Sequence, residues 1–205
     1  MYFCPLKVRF RLDREKFLRL GIGTEIILLI VAVILNAIWP LPVEQDPLRT
    51  TLGLTNLGAS IVGTLAGLLM SLWFFVSWNS DFLPFKRIQD FVQDQLAPTL
   101  SCCQTWELIA LAAFAGIGEE ILFRGVLQPR TGWLIATLVF GLAHPITPTY
   151  VIVAALLGGL LGLLQEFGGN LWAPIIAHGV YDYVGFCIVI REFRAEMQRP
   201  RADRR

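Results

Sequence analysis

Charge is scarce in this chain. Only 16% of its 205 residues are Asp, Glu, Lys or Arg, against roughly 25% in an ordinary soluble domain. With 55% of residues hydrophobic and a mean hydropathy of +0.61, the chain cannot cover a soluble fold with polar side chains, and a water-soluble globular domain is excluded. The net charge is +1, so there is no excess of either sign to recruit a nucleic acid, and none is expected as a partner. Cysteine is sparse and unpatterned. Cys4, Cys102, Cys103 and Cys187 form no C-x-x-C and no Cys/His zinc spacing. A bridge between the adjacent Cys102 and Cys103 would be strained, and all four read as ordinary thiols. There is no H-E-x-x-H, no convincing Ser–His or Cys–His pairing, no low-complexity tract and no internal repeat. A short chain without repeated halves fits poorly with a transporter built on inverted repeats.

What is present is long apolar sequence. A spanning helix needs about 20 mostly apolar residues. Six stretches qualify: Ile22–Trp39, Leu57–Trp78, Trp106–Leu127, Trp133–Pro148, Tyr150–Phe167 and Leu171–Ile190. Trp and Tyr at many of their ends suit the aromatic belts of a bilayer. The fourth is short, and Pro145 or Pro148 is expected to stop it. The N-terminus is basic and then apolar, like a signal peptide. The run Ile26–Trp39, however, meets Pro40, Leu41 and Pro42 without a small-residue cleavage site, so it reads as a retained span. Between the second and third spans, Phe82, Phe85, Ile88 and Val92 recur at near-helical spacing among Lys86, Arg87, Asp90 and Asp94. This predicts an amphipathic helix over Asp81–Leu96, lying on the membrane surface or packed on the bundle.

The expected fold is therefore all-α: a polytopic membrane protein of about six transmembrane helices, with an amphipathic helix before the third. Its organisation reads as a basic segment (1–21), two N-terminal spans (22–80), an amphipathic connection (81–105), a helical core (106–191) and a basic tail (192–205). Six of the 17 Lys and Arg precede Leu20 and six more lie from Arg191 onward. With both termini in the cytoplasm, fourteen face that side and only Arg49 and Arg130 face the other, a strong positive-inside asymmetry. The lipid bilayer is thus the first partner.

Against this background the polar residues inside the spans stand out. Glu119, Glu120 and Arg124 fall within the third span. Each charge at mid-membrane costs about 2.5–3.5 kcal/mol on insertion scales, on the order of 8–10 kcal/mol for three before pairing. Glu120 and Arg124 are four apart and can form an ion pair on one helix face. Glu119 points about 100° away and has no partner within a turn. The 2 histidines, His144 and His178, both lie at membrane depth on separate spans, and His178 shares a face with Asp182. A carboxylate and an imidazole can hold and deprotonate a water, and a second imidazole with a polar neighbour can stabilise an oxyanion. Glu119, His144 and His178 would equally make a zinc-binding set with an open position. Three classes of function follow: hydrolysis inside the membrane, a catalytically silent membrane scaffold or protective binding protein, and a proton-coupled transporter with a carboxylate–histidine relay.

The order and spacing of these residues carry a resemblance. Glu119-Glu120-Ile121-Leu122-Phe123-Arg124, then Phe140 to His144, then His178 to Asp182 resembles the CAAX-protease and bacteriocin-processing family of intramembrane endopeptidases, over roughly Trp106–Ile190. The resemblance implies an endopeptidase cutting a membrane-associated or C-terminally modified peptide or protein substrate. It implies Glu119 as the general base, His144 as its partner on the water, His178 and Asp182 as the oxyanion pair, and Glu120 with Arg124 as an orienting ion pair. It leaves open whether zinc or Glu119 alone activates the water. The chain departs from the family in carrying Asp182 where Asn is frequent. A carboxylate there would repel an oxyanion, so Asp182 is either a protonated donor or a carboxylate that orients His178.

Overall fold

The structure, a computed structural model, describes residues 13–42, 46–48 and 57–199. Among them there is no strand. The elements are α1 (Arg14–Ile38), α2 (Leu57–Trp78), α3 (Leu83–Phe91), a π-helical segment π1 (Val92–Leu96), α4 (Ala97–Leu100), α5 (Thr105–Glu120), a second π segment π2 (Ile121–Leu127), α6 (Gln128–Thr131), α7 (Trp133–Leu142), α8 (Pro148–Gly168) and α9 (Trp172–Gln198). Four helices, α1, α2, α8 and α9, are long and apolar enough to cross a membrane. The expected third span is one helical run, α5–π2–α6. The chain is a polytopic all-α membrane protein. Ile27, Val33, Leu69, Leu156 and Phe167 point outward, which in lipid carries no penalty.

α1 starts at Arg14, eight residues before the expected Ile22, because its first turn has a partner. Arg14 binds Glu107 at the start of α5 through Nε (2.9 Å) and through a shorter Nη2 contact. Glu107 also accepts the Gln104 N–H at 2.7 Å and so caps α5. Part of the basic N-terminal segment is therefore span helix. At the other end, α9 runs on to Gln198, so the expected tail from 192 is helical for its first residues. Phe17, Leu108, Val189 and Ile190 make one cluster there. α1 and α5 run parallel, with Gly21 against Leu111 and Gly118 against Glu25. α9 runs antiparallel to α5, since Gly116 meets Ile175 and Gly179 while Leu108 packs with Val189 and Ile190.

α2 carries Gly63-Thr-Leu-Ala-Gly67, a G-x-x-x-G face. A methyl group at Gly63 would stand 2.5 Å from the Ala173 carbonyl oxygen, and one at Gly67 2.6 Å from that of Ala177. With no hydrophobic effect between helices in lipid, such close backbone approach supplies the packing energy. It fixes α2 on α9.

The amphipathic stretch packs on the bundle on one face. Ile88 is buried, Phe85 meets the Trp73 ring edge-on at 6.3 Å and Gln89 donates to the Trp78 carbonyl at 2.7 Å, while Phe82 and Leu83 are exposed. The helix continues past the expected Leu96 through α4, whose four residues are all buried. Cys102 is disulfide-bonded, which corrects the reading of four ordinary thiols. Cys103 and Cys187 are free, and burial, aided by the neighbouring Glu107 carboxylate, pushes the Cys103 thiol up to about 11.

α7 is shorter than expected. It ends at Leu142, three residues before Pro145, and Pro148 opens α8 behind a Thr147 cap whose hydroxyl accepts the Tyr150 N–H at 3.0 Å. His144 therefore sits in the turn between α7 and α8, not within a span.

Candidate active site

The α5 helix changes to i→i+5 turns at Ile121, a local widening often found at functional sites. The two acidic residues end α5, and Arg124 follows inside π2. Glu120 and Arg124 are almost wholly buried, and Arg124 Nη1 donates to Glu120 Oε1 at 2.8 Å. Arg124 Nη2 donates to the Gly158 carbonyl at 2.6 Å, and its guanidinium lies over the Phe140 ring at 4.3 Å. A methyl group at Gly158 would fall 2.6 Å from Phe140 and 3.0 Å from Arg124 Nη2. The absence of a side chain at Gly158 is what lets the guanidinium reach α8.

The ion pair has a third member. His178 on α9 places Nδ1 2.8 Å from Glu120 Oε1. A carboxylate paired with arginine can only accept, so Nδ1 carries hydrogen and Nε2 is turned toward Asp182, whose Oδ2 is 3.5 Å away. Glu120 is thus more than the partner of Arg124: it holds His178 in its tautomer and orientation. The same logic fixes His144. Its Nδ1 is 2.8 Å from the Phe140 carbonyl, which also only accepts, so Nε2 is directed at Glu119. Glu119 Oε2 lies 3.6 Å from His144 Nε2, beyond a direct hydrogen bond, and has no hydrogen-bond partner although buried. Phe140 sits among these groups, packed on Phe123, Arg124, His144 and His178.

The structure therefore gathers Glu119, Glu120, Arg124, His144, His178 and Asp182 at one place between α5–π2, α9 and the α7–α8 turn. Glu119, His144 and Asp182 keep 13%, 24% and 22% of their side-chain surface exposed, whereas Glu120 keeps none. These three are the part-exposed members of the group, and the Glu120–Arg124 ion pair is its buried part. A separate cavity of about 860 Å³ between α2 and α8 is lined by Val62, Leu69, Leu157 and Leu164 and by none of the motif residues.

The donor set tests the expected zinc centre. Among the described residues no three His, Cys, Asp or Glu side chains are placed to share one ion. His178 commits Nδ1 to Glu120 and directs Nε2 at Asp182. The arrangement does not fit Glu119, His144 and His178 as joint ligands of one ion.

Two polar residues escape the sequence motifs. Gln128 is buried and donates to the Gly162 carbonyl and Gln165, each at 3.0 Å. Glu25 on α1 lies against Gly118, with a buried and unpartnered Oε2. Its signal was a lone acid within an apolar run.

Residues 102–184 match the family described as type II CAAX prenyl endopeptidase Rce1-like. The chain is also 38% identical over 84 residues to YpbD, an uncharacterized protein of Bacillus subtilis strain 168, covering 39% of this chain and 44% of that protein. The chain thus spans less than half the length of that relative. No solved structure matches it. All three motifs lie inside the family match, and the resemblance read from them holds.

Proposed function

We propose, on the premise that residues 102–184 carry an Rce1-like core, that this protein is an intramembrane endopeptidase in which Glu119 and His144 activate the attacking water. The observation that carries the proposal is the Glu119 Oε2–His144 Nε2 separation of 3.6 Å with Oε2 unpartnered, a spacing at which both atoms can hydrogen-bond one water oxygen. Glu119 takes a proton from that water, and the resulting hydroxide adds to the carbonyl carbon of a peptide bond. The carbonyl oxygen becomes an oxyanion. When the intermediate collapses the C–N bond breaks, and the proton on Glu119 passes to the leaving nitrogen. Glu120 holds Nδ1 of His178, and Nε2, on the side of Asp182, is the ring atom that donates to the oxyanion when the imidazole is protonated. The substrate is a membrane-associated or C-terminally modified polypeptide. The parallel course of α1 and α5 fits a first and a third span crossing in the same direction, and the distribution of Lys and Arg supports an orientation with both termini in the cytoplasm.

The test compares the cleaved protein termini in membranes bearing the wild type with those bearing Glu119→Gln. A set of termini that disappears with the variant supports the proposal. Identical sets overturn it.

Two further outcomes follow. Asp182 was open to two readings, as a donor to the oxyanion or as the carboxylate that orients His178. The orienting contact is made by Glu120 at 2.8 Å, while Asp182 stands at 3.5 Å and is partly exposed. This supports the donor reading. A carboxyl donates only when protonated and an amide at any pH, so Asp182→Asn is expected to keep or raise hydrolysis and extend it to higher pH. A sharp fall in rate across the pH profile contradicts the assignment. The second concerns metal. Water activation by Glu119 and His144 alone predicts that a zinc chelator such as 1,10-phenanthroline leaves the initial rate unchanged. A chelator-induced loss restored by zinc would replace this mechanism with a metal-dependent one.

A further inference from the structure

α9 is longer than the apolar part of a bilayer is thick. Its 27 residues rise about 40 Å at 1.5 Å each, against a hydrocarbon core of about 30 Å. About 20 residues counted from Trp172 reach Arg191, so Arg191 and Arg194 stand at the level of the lipid phosphates. Trp106, exposed at the start of α5, marks the same level as an interfacial aromatic. At this end of the bundle α1 and α5 begin and α9 finishes, and the distribution of Lys and Arg supports it as the cytoplasmic side. Here another cavity, of about 490 Å³, opens between the start of α5 and the end of α9, within the usual range for a small-molecule site. Buried Leu108 and Ile190 give it an apolar wall, and Thr105, Arg191 and Arg194 give it a polar one. The free, exposed thiol of Cys187 also lines it. None of the motif residues does, and Asp182 lies about 14 Å before Arg191 along the helix.

The charges around this cavity do not cancel. Glu107 is committed to Arg14 and to the Gln104 N–H. Glu192 accepts from Arg191 through Nε at 3.1 Å and Nη2 at 2.7 Å, and Glu196 pairs with Arg199 at 2.9 Å. Arg194 has no carboxylate partner among the described residues. Its Nη2 donates to the Ser101 carbonyl at 3.2 Å, which holds the guanidinium near the turn before α5 and leaves most of its five N–H donors unused. We infer that this cavity binds the head group of an anionic phospholipid of the cytoplasmic leaflet, with the phosphate on Arg194 and the glycerol and first acyl carbons against Leu108 and Ile190. Guanidinium forks suit phosphate oxygens, and basic side chains at this level attract anionic lipid. A soluble anion would share the phosphate contact but has no use for the apolar wall. The site lies apart from the catalytic residues, so the inference stands independently of the protease reading.

Cys187 supplies the readout, because a head group seated in the cavity shields its thiol. The full-length protein in neutral detergent is treated with N-ethylmaleimide, and the rate of modification at Cys187 is followed by mass spectrometry. Phosphatidylglycerol, phosphatidylcholine, inorganic phosphate or a short peptide with a free carboxyl terminus is added in separate series. Phosphatidylglycerol alone is expected to slow the modification. Arg194→Gln is expected to raise the amount of phosphatidylglycerol needed for half protection about fivefold, the worth of one basic side chain at an anionic surface. No slowing by phosphatidylglycerol, or equal slowing by phosphatidylcholine, overturns the inference. Equal protection by phosphate or by the peptide makes this a site for soluble anions and also overturns it, as does an unchanged half-point in Arg194→Gln. If Arg194→Gln does not fold, a photoactivatable phosphatidylglycerol is cross-linked to the wild type instead. Adducts at the start of α5 or on α9 beyond Tyr183 support the proposal, and adducts confined to other segments overturn it.

Discussion

Glu119→Gln is expected to reduce hydrolysis by at least the roughly 10²–10⁴-fold that a positioned general base supplies, while the protein folds and unfolds almost as the wild type does. The amide keeps the size of the carboxyl and can hold a water, but it cannot accept the proton that turns water into a nucleophile. The fold is spared because Glu119 makes no ion pair or hydrogen bond of the kind that holds Glu120: its Oε2 has no hydrogen-bond partner, and His144 Nε2 stands 3.6 Å away. Rates on a cleaved reporter from the membrane fraction, beside an unfolding curve in detergent, measure both halves. A variant that retains wild-type rates removes Glu119 from the role of base. A variant that loses both rate and fold makes Glu119 structural.

The separation of roles between Glu119 and Glu120 was legible in the sequence in part. Pairs on one helix were readable from spacing alone: Glu120 with Arg124, and His178 with Asp182, are each four apart, and they lie at 2.8 Å and 3.5 Å. Polar residues were conspicuous because their surroundings are apolar. The Glu120–His178 bond joins residues 58 apart. It depends on α5 and α9 meeting antiparallel over Gly116 and Gly179, which no local pattern encodes. The π segments were equally hidden, since an i→i+5 turn leaves no compositional mark in so apolar a run as Ile121–Leu127. Helix ends were misplaced where tertiary partners overrode local cues. Arg14 is helical because Glu107 receives it, and α7 stops short of both prolines. Glu25 was overlooked because a single acid has no spacing partner in its own helix. Its place against α5 becomes visible only once Gly118 is seen beneath it.

Arg124→Ala is expected to have the opposite signature to Glu119→Gln: a protein that folds poorly before its activity can be asked about. Removing one partner of a buried ion pair typically costs about 3–5 kcal/mol, a large share of the 5–15 kcal/mol by which domains are ordinarily stable. Here three consequences act at one point. Glu120 keeps its charge in a site with no exposure and retains His178 as its hydrogen-bonded neighbour. The Gly158 carbonyl loses the donor that reaches it from 2.6 Å, and an orphaned buried acceptor costs about 1–3 kcal/mol. Phe140 loses the cation stacked 4.3 Å above its ring. Because the same four residues share these contacts, the costs are not additive. Arg124→Lys separates charge from geometry. An ammonium restores a cation but not the planar fork that serves Glu120 and Gly158 together, so this variant is expected to recover part of the lost stability. The measurements are the monodisperse yield after detergent extraction and the unfolding midpoint, for Arg124→Ala, Arg124→Lys and Glu119→Gln side by side. Equal yields and midpoints for Arg124→Ala and Glu119→Gln would mean that the buried pair does not hold α5–π2 to α8 and α9.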